Sequence, residues 1–288
     1  MLTPYSEDSA VDFPALDAYT EWLIQCGSAG LFPVALSGEM FELSEAERLA
    51  VATSVVAVAN GRVPVAASVL GEVEELADAS RAMAATGVDI VVLNAASLAS
   101  QDEDDATIKP RVEHILEANP GVSFGIYECP RPYHRILSTE TVGWLARTGR
   151  FVFFKETSGS LERMAARVKV SEGTPLKIYN AGIGNLRESL TVGTSGLSGW
   201  VVNTHPDWVA WICENPDHPD AEAIQASLRN IQHEFDSTYP SSAKFLVELR
   251  SGNSFPVEGR WRPSPVDREA MRRLEATLPP SIPVAANS

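Results

Sequence analysis

The sequence predicts an α/β fold: a (β/α)8 TIM barrel with a C-terminal α-helical extension and a short or truncated first strand. Three observations carry this. Apolar β-type runs alternate with helix-periodic segments from residue 15 to about residue 205, and strict alternation of this kind builds a parallel sheet. No early strand is followed by the glycine-rich turn of a dinucleotide-binding sheet, and the late Gly182-Ile183-Gly184 does not complete that fingerprint. At 288 residues the chain has the length of one large barrel or of two ordinary domains.

The elements follow in order. Residues 15–27 read as a helix with Leu16, Tyr19, Leu23 and Ile24 on one face, and Gly30 to Leu36 as a strand. Ser44-Glu45-Ala46-Glu47 has the form of a capping box and opens a helix that runs to Asn60-Gly61. Strands are then expected at Pro64–Leu70, Val88–Asn94, Val122–Tyr127, Phe151–Lys155, Leu176–Asn180 and Gly196–Val202. The helices between them fall at 73–86, 107–118, 138–148, 160–171 and 184–192. That makes seven strands. The remaining one has to precede residue 15, where only Met1-Leu2-Thr3-Pro4 is available, so it is very short or the true start lies upstream. From residue 206 the pattern is helical only, at 206–214, 219–236, 241–251 and 265–276, punctuated by prolines. The expected division is a barrel over 1–205, a helical region over 206–278 and a flexible Pro/Ala/Ser-rich tail over 279–288.

Composition narrows the function. A hydrophobic content of 44% with 21% charged residues is that of a soluble globular protein, and no apolar run approaches the length of a membrane helix. The N-terminus lacks the pattern of a signal peptide, and three cysteines without CxxC spacing argue against a disulfide framework or a zinc site. A reducing cytoplasm is the expected location. The net charge of −15 disfavours nucleic acid and anionic membranes as partners, yet leaves room for a small anionic substrate at a local basic site. The acidic run Asp102–Asp105 reads as a solvated loop and helix start.

In a barrel, the chemistry sits at the C-terminal ends of the strands. Those ends are Ser37-Gly38-Glu39, Asn94, Tyr127, Lys155, Tyr179-Asn180 and Asn203-Thr204-His205. Lys155 closes the apolar run Phe151-Val152-Phe153-Phe154, and it is one of only five lysines. A buried ammonium is costly, so such a lysine either loses its proton and becomes a nucleophile towards carbonyls, or leaves the core and salt-bridges at the surface. Strand alternation places Ser123, Gly125 and Tyr127 on one face, the small side chains leaving room in the barrel interior. The loop Arg131-Pro132-Tyr133-His134-Arg135 should overhang the pocket, there binding a distal acidic group or making surface and subunit contacts. His205 is either a substrate contact or a hydrogen-bonded structural residue. Cys129 shares the face of Tyr127, and Glu39 and Glu156 anchor their turns. No His/Asp/Glu cluster has metal spacing.

Together these residues resemble the dihydrodipicolinate synthase / N-acetylneuraminate lyase family. The resemblance lies in Phe153-Phe154-Lys155-Glu156-Thr157-Ser158-Gly159, Ile126-Tyr127-Glu128-Cys129-Pro130 and the turn Leu36-Ser37-Gly38-Glu39. It continues in Asn180-Ala181-Gly182, Gly193–Gly199, and the segment from Ala243-Lys244 to Arg260-Trp261-Arg262-Pro263, so that it spans residues 3 to 275. It implies a (β/α)8 barrel in which Lys155 forms a Schiff base with a 2-oxo acid, usually pyruvate, and Tyr127 shuttles protons, with no cofactor and no metal. It also implies that Leu36, Ser37 and Gly38 hold the substrate carboxylate, with Ser198, Arg131 and His205 as further substrate contacts, in a homotetramer or homodimer. The sequence departs from synthase members at Leu36, where a hydroxyl residue is usual. It departs again at Asn94–Ser100, which has no tyrosine, and at Pro132, where those members carry an arginine. The expected activity is therefore a lyase or aldolase on a 2-oxo acid other than dihydrodipicolinate synthesis. The alternatives are a deoxy sugar acid dehydratase using the same imine and a non-catalytic 2-oxo acid-binding paralogue.

Overall fold

The structure, a computed structural model, describes residues 1–262, 264–279 and 282. The tail expected over 279–288 therefore lies outside the described residues, apart from Pro279 and Ile282.

Five parallel strands lie side by side in sequence order: β1 (Ala66–Ser68), β2 (Ile90–Asn94), β3 (Phe124–Tyr127), β4 (Phe151–Glu156) and β5 (Lys177–Asn180). The register sets Asn94 beside Tyr127, Tyr127 beside Lys155 and Lys155 beside Tyr179, so one row crosses the C-terminal ends of four strands. The pairing of β3 with β4 shifts between Phe124 and Gly125. Gly125 is needed there, because a Cβ would stand 2.9 Å from the Phe153 ring.

The sheet continues past both edges without full strands. Leu31 forms a single parallel bridge with Val65, and Leu197 one with Asn180. The expected strands Gly30–Leu36 and Gly196–Val202 are thus short pairings that run into 3-10 turns at Leu36–Gly38 and Val201–Asn203. The local sequence explains this. Pro33 has no N–H to give to a ladder, and Gly193 and Gly196 take positive φ values of 96° and 134° that an extended run does not tolerate. Each flank is held at this seam by a neighbouring segment: the Tyr19 hydroxyl donates to Asn203 O at 2.8 Å, and the Thr3 hydroxyl to Gly38 O at 2.8 Å. Residues 1–5 are buried in this seam, and their one bridge is an antiparallel one from Tyr5 to Val11.

The helices lie close to where periodicity puts them. Asp12 caps α1 (Phe13–Gln25), and the Ser44/Glu47 capping box opens α2 (Glu45–Ala59). Then come α3 (Leu76–Ala84), the one-turn α4 (Ala95–Leu98), α5 (Ile108–Ala118), α6 (Thr139–Arg147), α7 (Leu161–Ser171) and α8 (Leu186–Thr191). Four more follow without an intervening strand: α9 (Pro206–Glu214), α10 (Ala221–Asp236), α11 (Ser241–Ser251) and α12 (Arg268–Glu275). Among the described residues no helix is long and apolar enough to cross a membrane.

Candidate active site

Lys155 is buried at the end of β4, with its Nζ 4.5 Å from the Tyr127 ring centroid and 5.8 Å from that of Phe32. Among the described residues no carboxylate pairs with it. Burial therefore pulls its ammonium down to about 8, opposed only in part by the neighbouring Cys129. A second lysine shows the contrast. Lys244 on α11 is fully buried, but its Nζ donates to Glu39 Oε1 at 2.8 Å and to Glu258 O at 2.5 Å. Burial lowers the Lys244 ammonium too, with Glu39 pulling it back up, whereas Lys155 has no such carboxylate among the described residues. Tyr127 is also buried, and desolvation holds its phenol well above the ordinary range, so it remains a proton donor.

Lys155 opens onto two chambers. The smaller, of about 70 Å³, is lined by Phe32, Ala35, Ser37, Ser198 and Asn203 among others. The larger, of about 260 Å³, has Leu36, Tyr127, Pro130, His134, Thr157, Ala181 and Trp200 on its walls. Ser198 and Gly199 border both. Gly199 runs so close to the chain after β5 that a Cβ would lie 2.5 Å from Ala181 O. A third cavity of about 310 Å³, lined largely by apolar side chains such as Leu31, Phe153, Leu197 and Val209, does not reach Lys155. Chemistry makes Lys155, rather than this more voluminous cavity, the candidate site.

The Ser37 turn is fixed from outside. Glu39 sits in the left-handed region at φ 59° and accepts the backbone N–H groups of Arg260 and Trp261, each at 2.6 Å, besides Lys244. Gly38 packs so tightly that a Cβ would lie 2.1 Å from Pro33 O, which makes it the only residue type that fits. The Gly38 N–H donates to Ala35 O at 3.0 Å, so Gly38 shapes the turn and offers no donor of its own to a ligand. Ser37 faces the small chamber. Its hydroxyl is also within hydrogen-bonding reach of the buried Tyr239 phenol, which accepts from Asn203 Nδ2 at 3.1 Å.

The strand ends are held by a buried cluster directly behind Tyr127 and Lys155. Arg167 on α7 donates to both Glu128 oxygens, at 3.1 and 2.6 Å, to Glu156 at 2.5 Å and to Leu137 O at 2.7 Å. Glu128 follows Tyr127 and Glu156 follows Lys155, so one guanidinium fixes both strands just beyond their functional side chains.

Two expected contacts are placed elsewhere. Arg131 does not line either chamber: its guanidinium lies between Phe41 (4.6 Å) and Trp261 (5.4 Å) and bonds Glu42 at 3.1 Å. His205 is fully buried, with one ring nitrogen 2.8 Å from the Thr204 hydroxyl and the other 2.8 Å from Glu275. It joins the barrel to α12 and touches no chamber. Both are cationic or polar groups at strand ends, and both found local partners that the sequence does not announce. Conversely, Trp200 lines the larger chamber without having been singled out; Thr157, quoted within the lysine motif, and Asn203, named at its strand end, also line the chambers. His134, named within its loop, is the member of that loop after Pro130 that reaches the larger chamber.

Comparison with known proteins places this arrangement. Residues 1–278 match the Dihydrodipicolinate synthetase family. The 4-hydroxy-tetrahydrodipicolinate synthase of Sorangium cellulosum is 32% identical over 291 residues, covering 96% of this chain and 94% of that protein. That of Acidithiobacillus ferrooxidans is 28% identical over 254 residues, covering 86% and 85%. Among solved structures, a dihydrodipicolinate synthase from Bacillus anthracis superposes with a TM-score of 0.87 at 19% identity, covering 97% of this chain and 96% of that one. YagE, a prophage protein of E. coli K12, does so with a TM-score of 0.84 at 20% identity, covering 96% and 94%. The fold is therefore a (β/α)8 barrel, its irregular edge pairings included, and the chain belongs to the dihydrodipicolinate synthetase family.

Proposed function

We propose that this protein is a lysine Schiff-base lyase or aldolase acting on a 2-oxo acid of the pyruvate type. The observation that carries the reading is Lys155: a buried amine with no carboxylate partner among the described residues, its ammonium lowered to about 8, beside the protonated phenol of Tyr127. The solved YagE structure contains pyruvate, as does that of an Acinetobacter baumannii dihydrodipicolinate synthase, which supports pyruvate as the first candidate.

The chemistry balances with the residues present. Neutral Lys155 Nζ adds to the C2 carbonyl, and loss of water leaves a protonated imine. Tyr127 gives its proton to the departing hydroxyl as that water forms, and in the cleavage direction the tyrosinate left behind takes the proton of a 4-hydroxyl; the C3–C4 bond breaks, and its electron pair flows into the imine to give an enamine and an aldehyde. Protonation at C3 and addition of water then release pyruvate and regenerate the amine. Tyr127 is the proton carrier, and Ser37 holds the substrate carboxylate in the small chamber. The aldol direction is the same path reversed. Dihydrodipicolinate synthesis itself is not proposed: Leu36, Pro132 and the tyrosine-free Asn94–Ser100 replace the residues that synthase members use.

Incubation with 4-hydroxy-2-oxo acids tests this. Release of pyruvate and an aldehyde in equal amounts is expected, with Tyr127→Phe slowing turnover by roughly 10²–10⁴-fold, the range for losing an acid–base group. Loss of water without carbon–carbon cleavage would instead show a dehydratase, and unchanged rates in Tyr127→Phe would remove that residue from the mechanism.

A further inference from the structure

The larger chamber carries information about what meets the Lys155-bound oxo acid. Among the described residues lining it, Lys155 is the only lysine or arginine. The basic side chains nearest in sequence are spent: Arg131 on Glu42, Phe41 and Trp261, and Arg135 on Ser100 O at 2.9 Å, Glu103 O at 2.7 Å and Asp105 at 3.2 Å. A second carboxylate or phosphate entering this chamber would lose water and gain no cation, in a protein whose net charge already repels it.

What the walls do offer is apolar surface and one polar rim. Trp200 is stacked on Tyr239, with ring centroids 4.1 Å apart and planes at 12°, so its indole is a rigid wall. Leu36 and Pro130 add apolar surface. At the rim, His134 Nε2 lies 2.7 Å from the Thr157 hydroxyl, which itself donates to Glu128 O at 2.8 Å. The hydroxyl hydrogen is thus committed to Glu128. Thr157 must accept from His134 Nε2–H, and in the neutral ring Nδ1 is left as an acceptor. The rim therefore suits a ligand hydroxyl.

Resting on the Schiff-base reading above, we infer that the aldehyde component of this enzyme is uncharged, with an apolar or aromatic body seated against Trp200 and, where it carries a hydroxyl, that hydroxyl bonded to His134. The covalent step is the one already given: the C3 carbon of the enamine bonds to the aldehyde carbon, whose oxygen takes up a proton, and water then frees the 4-hydroxy-2-oxo acid from Lys155.

The test pairs pyruvate with benzaldehyde, propanal and succinic semialdehyde and measures aldol product for each. Borohydride trapping of pyruvate on the wild-type protein runs alongside, as an independent readout of the Schiff base. The expected result is a pyruvate adduct, and a kcat/KM for both uncharged aldehydes that exceeds the anionic one by roughly 30-fold or more, as an unpaired buried charge demands. Trp200→Ala should lower kcat/KM for benzaldehyde by about 3- to 10-fold, the worth of an aromatic contact, and for propanal by less. His134→Arg should narrow the gap in favour of succinic semialdehyde. A pyruvate adduct together with a preference for succinic semialdehyde, or with no aldehyde turned over, overturns this inference alone. Absence of any adduct overturns the Schiff-base reading and this one with it.

Discussion

At the scale of single residues, two buried lysines separate reactivity from structure. Lys244 keeps a carboxylate partner in Glu39, whereas Lys155, beside the rings of Phe32 and Tyr127, has none among the described residues. The consequence is a pH dependence. Burial lowers the Lys155 ammonium to about 8, against an ordinary value of about 10.4, and in the proposed mechanism its unprotonated form is the nucleophile. The rate of borohydride-trapped adduct formation should therefore rise about tenfold per pH unit up to about pH 8 and then level off. A rate still climbing at pH 10 would mean that the amine is solvated like any surface lysine. Lys155 and Tyr127 were both legible in the sequence, because a polar residue closing an apolar run has few places to go but a strand end. Lys244 was not legible: Ser241-Ser242-Ala243-Lys244-Phe245 reads as an ordinary amphipathic helix, and its buried carboxylate partner lies 205 residues away in the chain.

At the scale of elements, the pairing of Tyr127 with Lys155 depends on two strands ending in register. The Arg167 cluster does this by bonding the residue after each of them. It is fully buried, so removing the guanidinium leaves two carboxylates facing each other without a counter-charge. Arg167→Ala is expected to cost about 3–5 kcal/mol of stability, measured by denaturant unfolding. A loss below about 1 kcal/mol would show that the cluster is dispensable. Most helices were readable from periodicity to within about three residues, and Ser44, Ser138 and Ser160 each accept a backbone N–H where the sequence suggested a start, whereas the first helix, expected from residue 15, begins at Phe13 behind an Asp12 cap. The two edge strands were over-read. An apolar run with glycines predicts extended chain, but Pro33 and the positive φ angles at Gly193 and Gly196 convert most of it into turns that shape the chambers.

At the scale of the whole molecule, the helices after residue 206 are wired into the site through polar bonds rather than merely packed beside it. Glu39, next to the Ser37 turn, collects Lys244 and the amides of Arg260 and Trp261. Tyr239 bonds Asn203 and backs Trp200. Arg250 and His205 meet Glu275 from opposite sides. Lys244→Met should therefore destabilise the protein by about 3–5 kcal/mol and also raise KM for the 2-oxo acid, because the Ser37 turn loses its anchor. Loss of stability with an unchanged KM would confine Glu39 and Lys244 to a purely structural role.

The proposed function rests on one covalent bond. Peptide mass analysis after borohydride reduction in the presence of pyruvate tests it most directly. The adduct should appear on the peptide that carries Lys155, in a single copy per chain, and should vanish in Lys155→Ala. An adduct that persists in Lys155→Ala, or that maps to Lys244 or to a surface lysine, would contradict the account.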